Sequence, residues 1–210
     1  MSEPSDRLIA AELSAALEGS RVGNEVVVVE ETESTNDLVW KAVERGVPEG
    51  FVVFAERQTK GRGQYGRRWE SAPYLGLWFS VLLRPALSLA ESPKLTVQLA
   101  EAVAATIADE TGCAPTIKWP NDIYLSGRKV GGVLVEGRIA PDGSYVAVAG
   151  IGINVNQTSG DFPDELRESA GSLAMATGKT ISRRNLAIAL LRQLEKLTKA
   201  CHPERSRGIP

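Results

Sequence analysis

Between Pro115 and Asn156 two apolar stretches, "PTIKWPNDIYLSGRKVGGVLVEGRIA" and "SYVAVAGIGINVN", are broken only by Asn-Asp, Ser-Gly and Asp-Gly pairs. Such pairs suit tight connections between neighbouring antiparallel strands. No helix-length segment separates these strands, so the strict alternation of strand and helix that a doubly wound parallel sheet demands is not available here. The pattern favours an α+β fold built on hairpins.

Shorter-range patterns give the remaining elements. Leu8, Ile9, Leu13, Ala16 and Leu17 recur at helical spacing in residues 6–18, ahead of Gly19-Ser20. "EVVVVEET" (25–32) reads as a buried strand. Ser34 stands as an N-cap, with Asp37 three residues on, for a helix through Arg45 closed by Gly46. "FVVFAERQ" (51–58) and "LGLWFSVLL" (75–83) are further strands, separated by a glycine-arginine loop and Pro73. Leu95, Leu99, Val103 and Ile107 mark one face of a helix from Ala90 to Thr111, ended by Gly112. A last helix runs from Ser182 to about Ala200, and no repeat is visible.

Composition narrows the chemistry. A chain of 210 residues, 43% of them hydrophobic, suits one large domain, alone or with a small appendage. Its formal net charge of -2 gives no global field for nucleic acid or an anionic membrane, so a basic site has to be local. One exists: from Glu56 to Arg68 five cations (Arg57, Lys60, Arg62, Arg67, Arg68) face one acid. Cys113 and Cys201 form no C-x-x-C pair, which fits a reducing cytoplasm. The N-terminal segment is too interrupted for a signal peptide, and no apolar run approaches the ~18 residues that cross a bilayer. The single histidine, His202, stands in the terminal tail, which removes Ser-His-Asp, Cys-His and His-ligated zinc chemistry.

The basic stretch contains "GRGQYGRRW" (61–69), which satisfies G-x-G-x-x-G by letter. A dinucleotide fingerprint needs those glycines to turn a strand directly into a helix, with an acid about 20 residues on. Here "RRWESAPYLG" follows, without helical periodicity, and "VLLRPAL" further on carries no acid. Nor is it a Walker A loop, because Arg67-Arg68 stand where Lys-Ser/Thr is required. What remains is a loop whose Arg62, Arg67 and Arg68 can converge on an anion with freed backbone N–H groups. The plainer alternative is a solvated hairpin tip. Trp69 weighs against it, since a flat aromatic beside guanidiniums is suited to covering an adenine or packing the loop on a ligand.

Two further constellations stand out. In "KWPNDIYLSGRKVGG", Lys118 and Lys129 flank a Trp-Pro-Asn-Asp turn, and Gly131-Gly132 permits close approach within a strand. Taken singly, these are ordinary surface lysines and turn formers. In "GIGINVN" Asn154 interrupts an apolar run, so it either bonds local backbone or reads a ligand.

Taken in order, "ESTND" (33–37), "RQTKGRGQYGRRW", "KWPNDIYL", "GRKVGGVLVE" and "GIGINVN" resemble the biotin protein ligase family over about Val26 to Ala200. The resemblance implies a central mixed or antiparallel sheet with flanking helices, related to the catalytic domains of class II tRNA synthetases and lipoate ligases. It places the catalytic domain in residues 1–200 and leaves 201–210 as a short tail. The implied activity joins biotin and ATP into biotinyl-5'-AMP and then passes biotin to a lysine of a biotin carboxyl carrier domain. Both nucleophiles come from substrates, so the enzyme's task is cationic clamping and alignment, which suits a site rich in Arg and Lys.

By motif position, Ser34, Thr35, Asn36 and Gln58 resemble the polar groups that hold the biotin ureido ring. Arg62 and Lys129, the implied catalytic pair, face the biotin carboxylate and α-phosphate, and Gly131 and Gly132 form a backbone wall. Gly61, Gly63, Gln64, Arg67, Trp69, Lys118, Asn121 and Asn154 match positions near ATP or the adenylate. Magnesium is expected with ATP, without an assignable ligand cluster. Gln64 departs from the "GRGRxGR" of many members. The N-terminal DNA-binding domain and C-terminal SH3-like domain common in the family are expected to be missing, which argues against DNA as a partner and puts acceptor docking in question. No membrane partner is expected, and a homodimer is compatible with the pattern. Two rivals stay open: a lipoate or octanoate transferase on the same scaffold, and a non-catalytic biotin or adenylate sensor.

Overall fold

The structure, a computed structural model, describes residues 6–201, with side chains through Lys199. His202 and the rest of the expected tail lie outside the described residues. In chain order the elements are α1 (Ala10–Ala16), β1 (Val26–Thr32), α2 (Thr35–Val43), β2 (Val52–Gln58), β3 (Gly76–Leu83), α3 (Ser92–Thr111), β4 (Thr116–Lys118), β5 (Asp122–Leu125), β6 (Arg128–Ile139), β7 (Tyr145–Asn154), α4 (Leu173–Thr177) and α5 (Arg183–Cys201). The strands form one seven-stranded sheet in the order β1-β2-β3-β7-β6-β5-β4. β1 and β2 are parallel and every other neighbouring pair is antiparallel. The expected mixed sheet with flanking helices is what forms.

The hairpins arise where the turn residues dictate. Ser126 and Gly127 both take positive φ, 50° and 77°, between β5 and β6, the conformation that two-residue hairpin turns require. At Gly112, with φ of 70°, α3 ends in a left-handed cap. Leu95, Leu99, Val103 and Ile107 of that helix are all buried on the sheet.

Side-chain alternation along the strands assigns the two faces. Leu77, Phe79, Val81 and Leu83 of β3, with Ala147, Ala149, Ile151 and Ile153 of β7, enter the larger core under α1, α3 and α5. Leu82, Val146 and Val148 point the other way and pack on Val39, Trp40 and Ala42 of α2. That face carries one short helix, and the sheet beyond it is left to line a cavity.

Three expectations need correction. β1 is an edge strand whose residues after Val26 are half-buried or exposed, because it has a sheet neighbour on one side only. The first helix begins at Ala10, so Leu8 is buried in the preceding segment and Ile9 is exposed. Ser34 occupies the N-cap position of α2 but its side chain makes no capping bond.

One buried charge cluster fastens the segment before α1 and the start of α5 to the sheet. Arg183 of α5 is fully buried and donates to Glu56 of β2 at 2.6 Å and to the Gly76 carbonyl at 3.1 Å. Glu56 also accepts from the Leu8 backbone N–H at 3.0 Å. Nearly all lone pairs of this carboxylate are thereby occupied, which a charge in a dry interior requires.

Candidate functional site

A cavity of about 480 Å³ opens on the α2 face of the sheet. The start of α2, the end of β2, residues 62–70, the 118–124 turn, strands β6 and β7, and residues 162–170 surround it. Of the residues singled out in the sequence, Ser34, Thr35, Asn36, Gln58, Arg62, Gly63, Gln64, Arg67, Trp69, Lys118, Asn121, Lys129, Gly132 and Asn154 all line this one space. Segments far apart in the chain converge here.

Gly61 and Gly131 are not among the lining residues. Gly131 and Gly132 are consecutive on a strand and therefore face opposite ways. A Cβ on Gly132 would meet Trp69, Asp122 and Lys129, whereas one on Gly131 would meet Ile123 and the Gly152 carbonyl. Gly61 closes the neck of its loop: its carbonyl accepts from the Trp69 N–H at 2.9 Å, and a Cβ would lie 2.6 Å from the Trp69 oxygen.

At one end the polar groups form a connected line. Gln58 Oε1 accepts from the Thr35 backbone N–H at 2.8 Å and from Thr35 Oγ1 at 3.1 Å. Ser80 Oγ stands 2.6 Å from both Thr35 Oγ1 and Asn36 Oδ1. A hydroxyl has one proton, so this chain orders itself in a limited number of ways. Asn36 Nδ2 and Trp69 Nε1 are buried donors without a partner among the described residues. Such donors are rare in a folded interior, and here both belong to cavity residues. Ser80 does not line the cavity but holds Thr35 and Asn36 from behind, a support that the sequence reading missed because it is one small residue within an apolar strand.

Three of the cavity's cations arrive already paired. Arg62 donates a two-pronged pair to Asp37 at 2.9 and 2.7 Å and a third bond to Glu136 at 3.2 Å. The Arg62 hydrogen bond holds the Asp37 carboxyl below its ordinary range, against the opposing effect of burial. Reciprocally, Asp37 and then Glu136 raise the guanidinium's pKa despite desolvation. Lys129 Nζ lies 2.7 Å from Asp122 Oδ1 and 5.3 Å from the centre of the Trp69 ring. Arg67 lines the cavity and has no ion-pair partner among the described residues, while Arg68 is paired with Glu70 at 2.8 Å. Asp37, Asp122 and Glu136 were not expected at the site from the sequence, where Asp37 was read only as part of a helix cap, because a carboxylate that holds a cation looks like any surface acid.

Two asparagines turn out to be committed to the fold. Asn154 Nδ2 donates to the Gly171 carbonyl at 2.9 Å and its oxygen accepts from Gln157 at 3.4 Å. Asn121 Nδ2 donates to the Val133 carbonyl at 3.1 Å. The alternative of local backbone bonding therefore holds for Asn154, which ties down the segment beside Phe162, Leu166 and Ala170. Backbone bonds between Lys129 and Ser169 and between Gly171 and Lys129 complete that wall.

Among the described residues no group of three or more His, Cys, Asp or Glu is placed to hold a metal. No helix among them is long and apolar enough to cross a membrane.

Comparison with known proteins identifies the family. A model of the biotin/lipoate A/B protein ligase family matches residues 28–156. The bifunctional ligase/repressor BirA of Bacillus spizizenii is 38% identical over 190 residues, 90% of this chain and 58% of its own length. A biotin--[acetyl-CoA-carboxylase] ligase of Mycobacterium tuberculosis is 35% identical, covering 80% of this chain and 62% of the relative. Among solved structures, biotin protein ligase from Aquifex aeolicus in complex with biotin and ATP superposes with a TM-score of 0.70 at 34% identity. That match covers 84% of this chain and 72% of the other. The chain thus spans about three fifths of the length of these two curated relatives.

Proposed function

The chain belongs to the biotin/lipoate A/B protein ligase family, and from that premise we propose that it is an ATP-dependent biotin protein ligase. Residues 1–200 form its catalytic unit. The observation that carries the reading is the convergence in one cavity of a polar line suited to a ureido ring with two carboxylate-held cations, Arg62 and Lys129. A ureido group offers a carbonyl acceptor and two N–H donors, and Ser34, Thr35, Asn36 and Gln58 supply complementary atoms. The relatives' named activities and the biotin and ATP bound by the Aquifex protein support the same assignment.

In the proposed reaction a biotin carboxylate oxygen attacks the α-phosphorus of ATP and the bond to pyrophosphate breaks. A lysine amine of a biotin carboxyl carrier domain then attacks the carbonyl of the mixed anhydride, loses a proton, and AMP leaves. The first step brings two anions together. Arg62 and Lys129 lower that repulsion and hold the two groups in line, which is worth more in a partly closed cavity than in water. Trp69 covers the nucleotide side, with Gln64, Arg67 and Lys118 around it, Asn121 and Asn154 hold the wall behind it through their backbone bonds, and Gly132 leaves room for close approach. Magnesium, expected with ATP, would come as part of that substrate and supply charge to its phosphates. The protein works in the cytoplasm.

The test is release of pyrophosphate that requires both biotin and ATP, followed by biotin transfer to a carrier domain. Octanoate or lipoate replacing biotin at equal efficiency would favour the transferase reading. Tight biotin binding without pyrophosphate would favour the sensor.

A further inference from the structure

We propose that Glu136 is a positioning residue for this reaction: through Arg62 it sets where the glycine-arginine loop presents its cation to the substrate. The proposal rests on the biotin-activating reading of the site. Arg62 lies between Gly61 and Gly63, so its immediate neighbours contribute no side chain that would restrain it. It is fixed from outside. Asp37, in the first turn of α2, takes two of its N–H groups, and Glu136, on β6, takes another. Because the two carboxylates come from different elements, they restrain the guanidinium in two directions.

Glu136 is itself held. Its second oxygen accepts from Trp40 Nε1 at 3.1 Å, and Trp40 is buried on α2. Two residues further along the same face of β6, the Arg138 guanidinium lies 4.1 Å over the Trp40 ring. The carboxylate therefore keeps its place through a contact that does not involve Arg62. A guanidinium has five N–H groups, and three are engaged here, which leaves two for an anion in the cavity. The clamp orients the cation without exhausting it. The opposite role, a carboxylate that competes with substrate for Arg62, predicts the opposite sign in the experiment below.

The test compares wild type with Glu136→Gln and Trp40→Phe in biotin-dependent pyrophosphate release, with amide exchange of residues 61–69 measured without ligand. Gln preserves shape but cannot accept from Trp40 and Arg62 with both ends. We expect KM for biotin to rise about tenfold with kcat changed less than about threefold, as for a group met by the ground-state carboxylate. Exchange in the loop should quicken by a similar factor, and Trp40→Phe should move both in the same direction by less. On an Arg62→Ala background Glu136→Gln should have no further effect on KM, since its influence passes through the arginine. A fall in KM, full additivity with Arg62→Ala, or unchanged loop exchange would each overturn the proposal. If the wild type releases no pyrophosphate, the functional reading fails, and loop exchange alone decides whether Glu136 holds Arg62.

Discussion

The indole of Trp69 lies against the bare backbone of Gly152: a Cβ on that glycine would come within 2.7 Å of the ring's Cε2 and 2.8 Å of its Nε1. Gly132, paired with Gly152 across the β6–β7 ladder, would bring a Cβ to 3.2 Å of the same ring. Neither glycine has positive φ, so what each supplies is space. Gly152→Ala should push the indole out of its seat, at ~1–3 kcal/mol of stability. It should also raise KM for ATP about tenfold, with a shift in tryptophan emission, whereas Gly132→Ala should do both to a smaller degree. An unchanged KM for ATP beside a shifted emission would remove Trp69 from the nucleotide site.

On the proposed mechanism Lys129→Ala should reduce biotin-dependent pyrophosphate release by at least about a hundredfold, because it takes away a cation assigned to the point where two anions meet. Asp122, half-buried beside it, loses its ion-pair partner, but enough of it reaches solvent for melting to move by only a few degrees. Asp122→Asn is the complementary control: it frees the lysine and should leave most of the activity. Release by Lys129→Ala within about threefold of wild type would exclude Lys129 from the chemistry.

Arg183→Met should destabilise the fold by ~3–5 kcal/mol in denaturant unfolding, since it leaves the Glu56 carboxylate buried without its main partner. Adding Glu56→Met should recover part of that loss, the two changes being strongly non-additive. A simple sum of the two single effects would mean that the pair is not coupled as the geometry requires.

Glu195 predicts part of the acid limb of the stability curve. Burial raises its pKa, but the Val22 N–H, Lys199 and the Arg21 N–H together bring it below its ordinary value of 4.5. A carboxyl with a depressed folded pKa adds stability that is complete above the unfolded value and lost as pH falls through the folded one. Stability should therefore drop below about pH 4.5, and Glu195→Gln should be less stable at pH 7 and flatter across that acid range. Equal acid limbs in the two proteins would mean that this carboxylate does not hold the Arg21–Val22 turn.

How legible the molecule was in its sequence depends on the reach of each interaction. The face of α3 and the turn at Ser126-Gly127 follow from residues close in the chain, and both form as read. β1 was misjudged because four valines in a row look alike in the middle of a sheet and at its edge, and the difference lies in a neighbour that local pattern cannot show. The cavity's cations were legible as a cluster, but their partners were not. Asp37, Asp122 and Glu136 acquire their meaning only when strand order brings them to Arg62 and Lys129. Gly131 and Gly132 form one motif in the sequence, yet the two-residue period of a strand sends them to opposite faces.

Gln64 offers the last test. It lines the cavity at the start of a short turn in which Tyr65 takes a left-handed φ of 59°, at a position where many family members carry arginine. Among the loop's neighbouring cations, Lys60, Arg62 and Arg68 are paired with carboxylates, and Arg67 has no ion-pair partner among the described residues. Arg67 is thus the one cation of this stretch without a carboxylate partner among the described residues, beside an Arg62 that keeps two N–H groups for an anion. Glutamine keeps hydrogen-bond donors but lacks charge, a difference of about 1–2 kcal/mol between neutral and charge-assisted contacts. Biotinyl-AMP should therefore leave this protein readily and label exposed lysines of bystander proteins at a low level. Gln64→Arg should lengthen retention of the intermediate about tenfold and reduce that labelling in proportion. Should filter-retained adenylate and bystander labelling be equal in both proteins, Arg67 with Arg62 and Lys129 suffices to hold the phosphate without charge at position 64, and an Arg67→Ala variant would then release it faster.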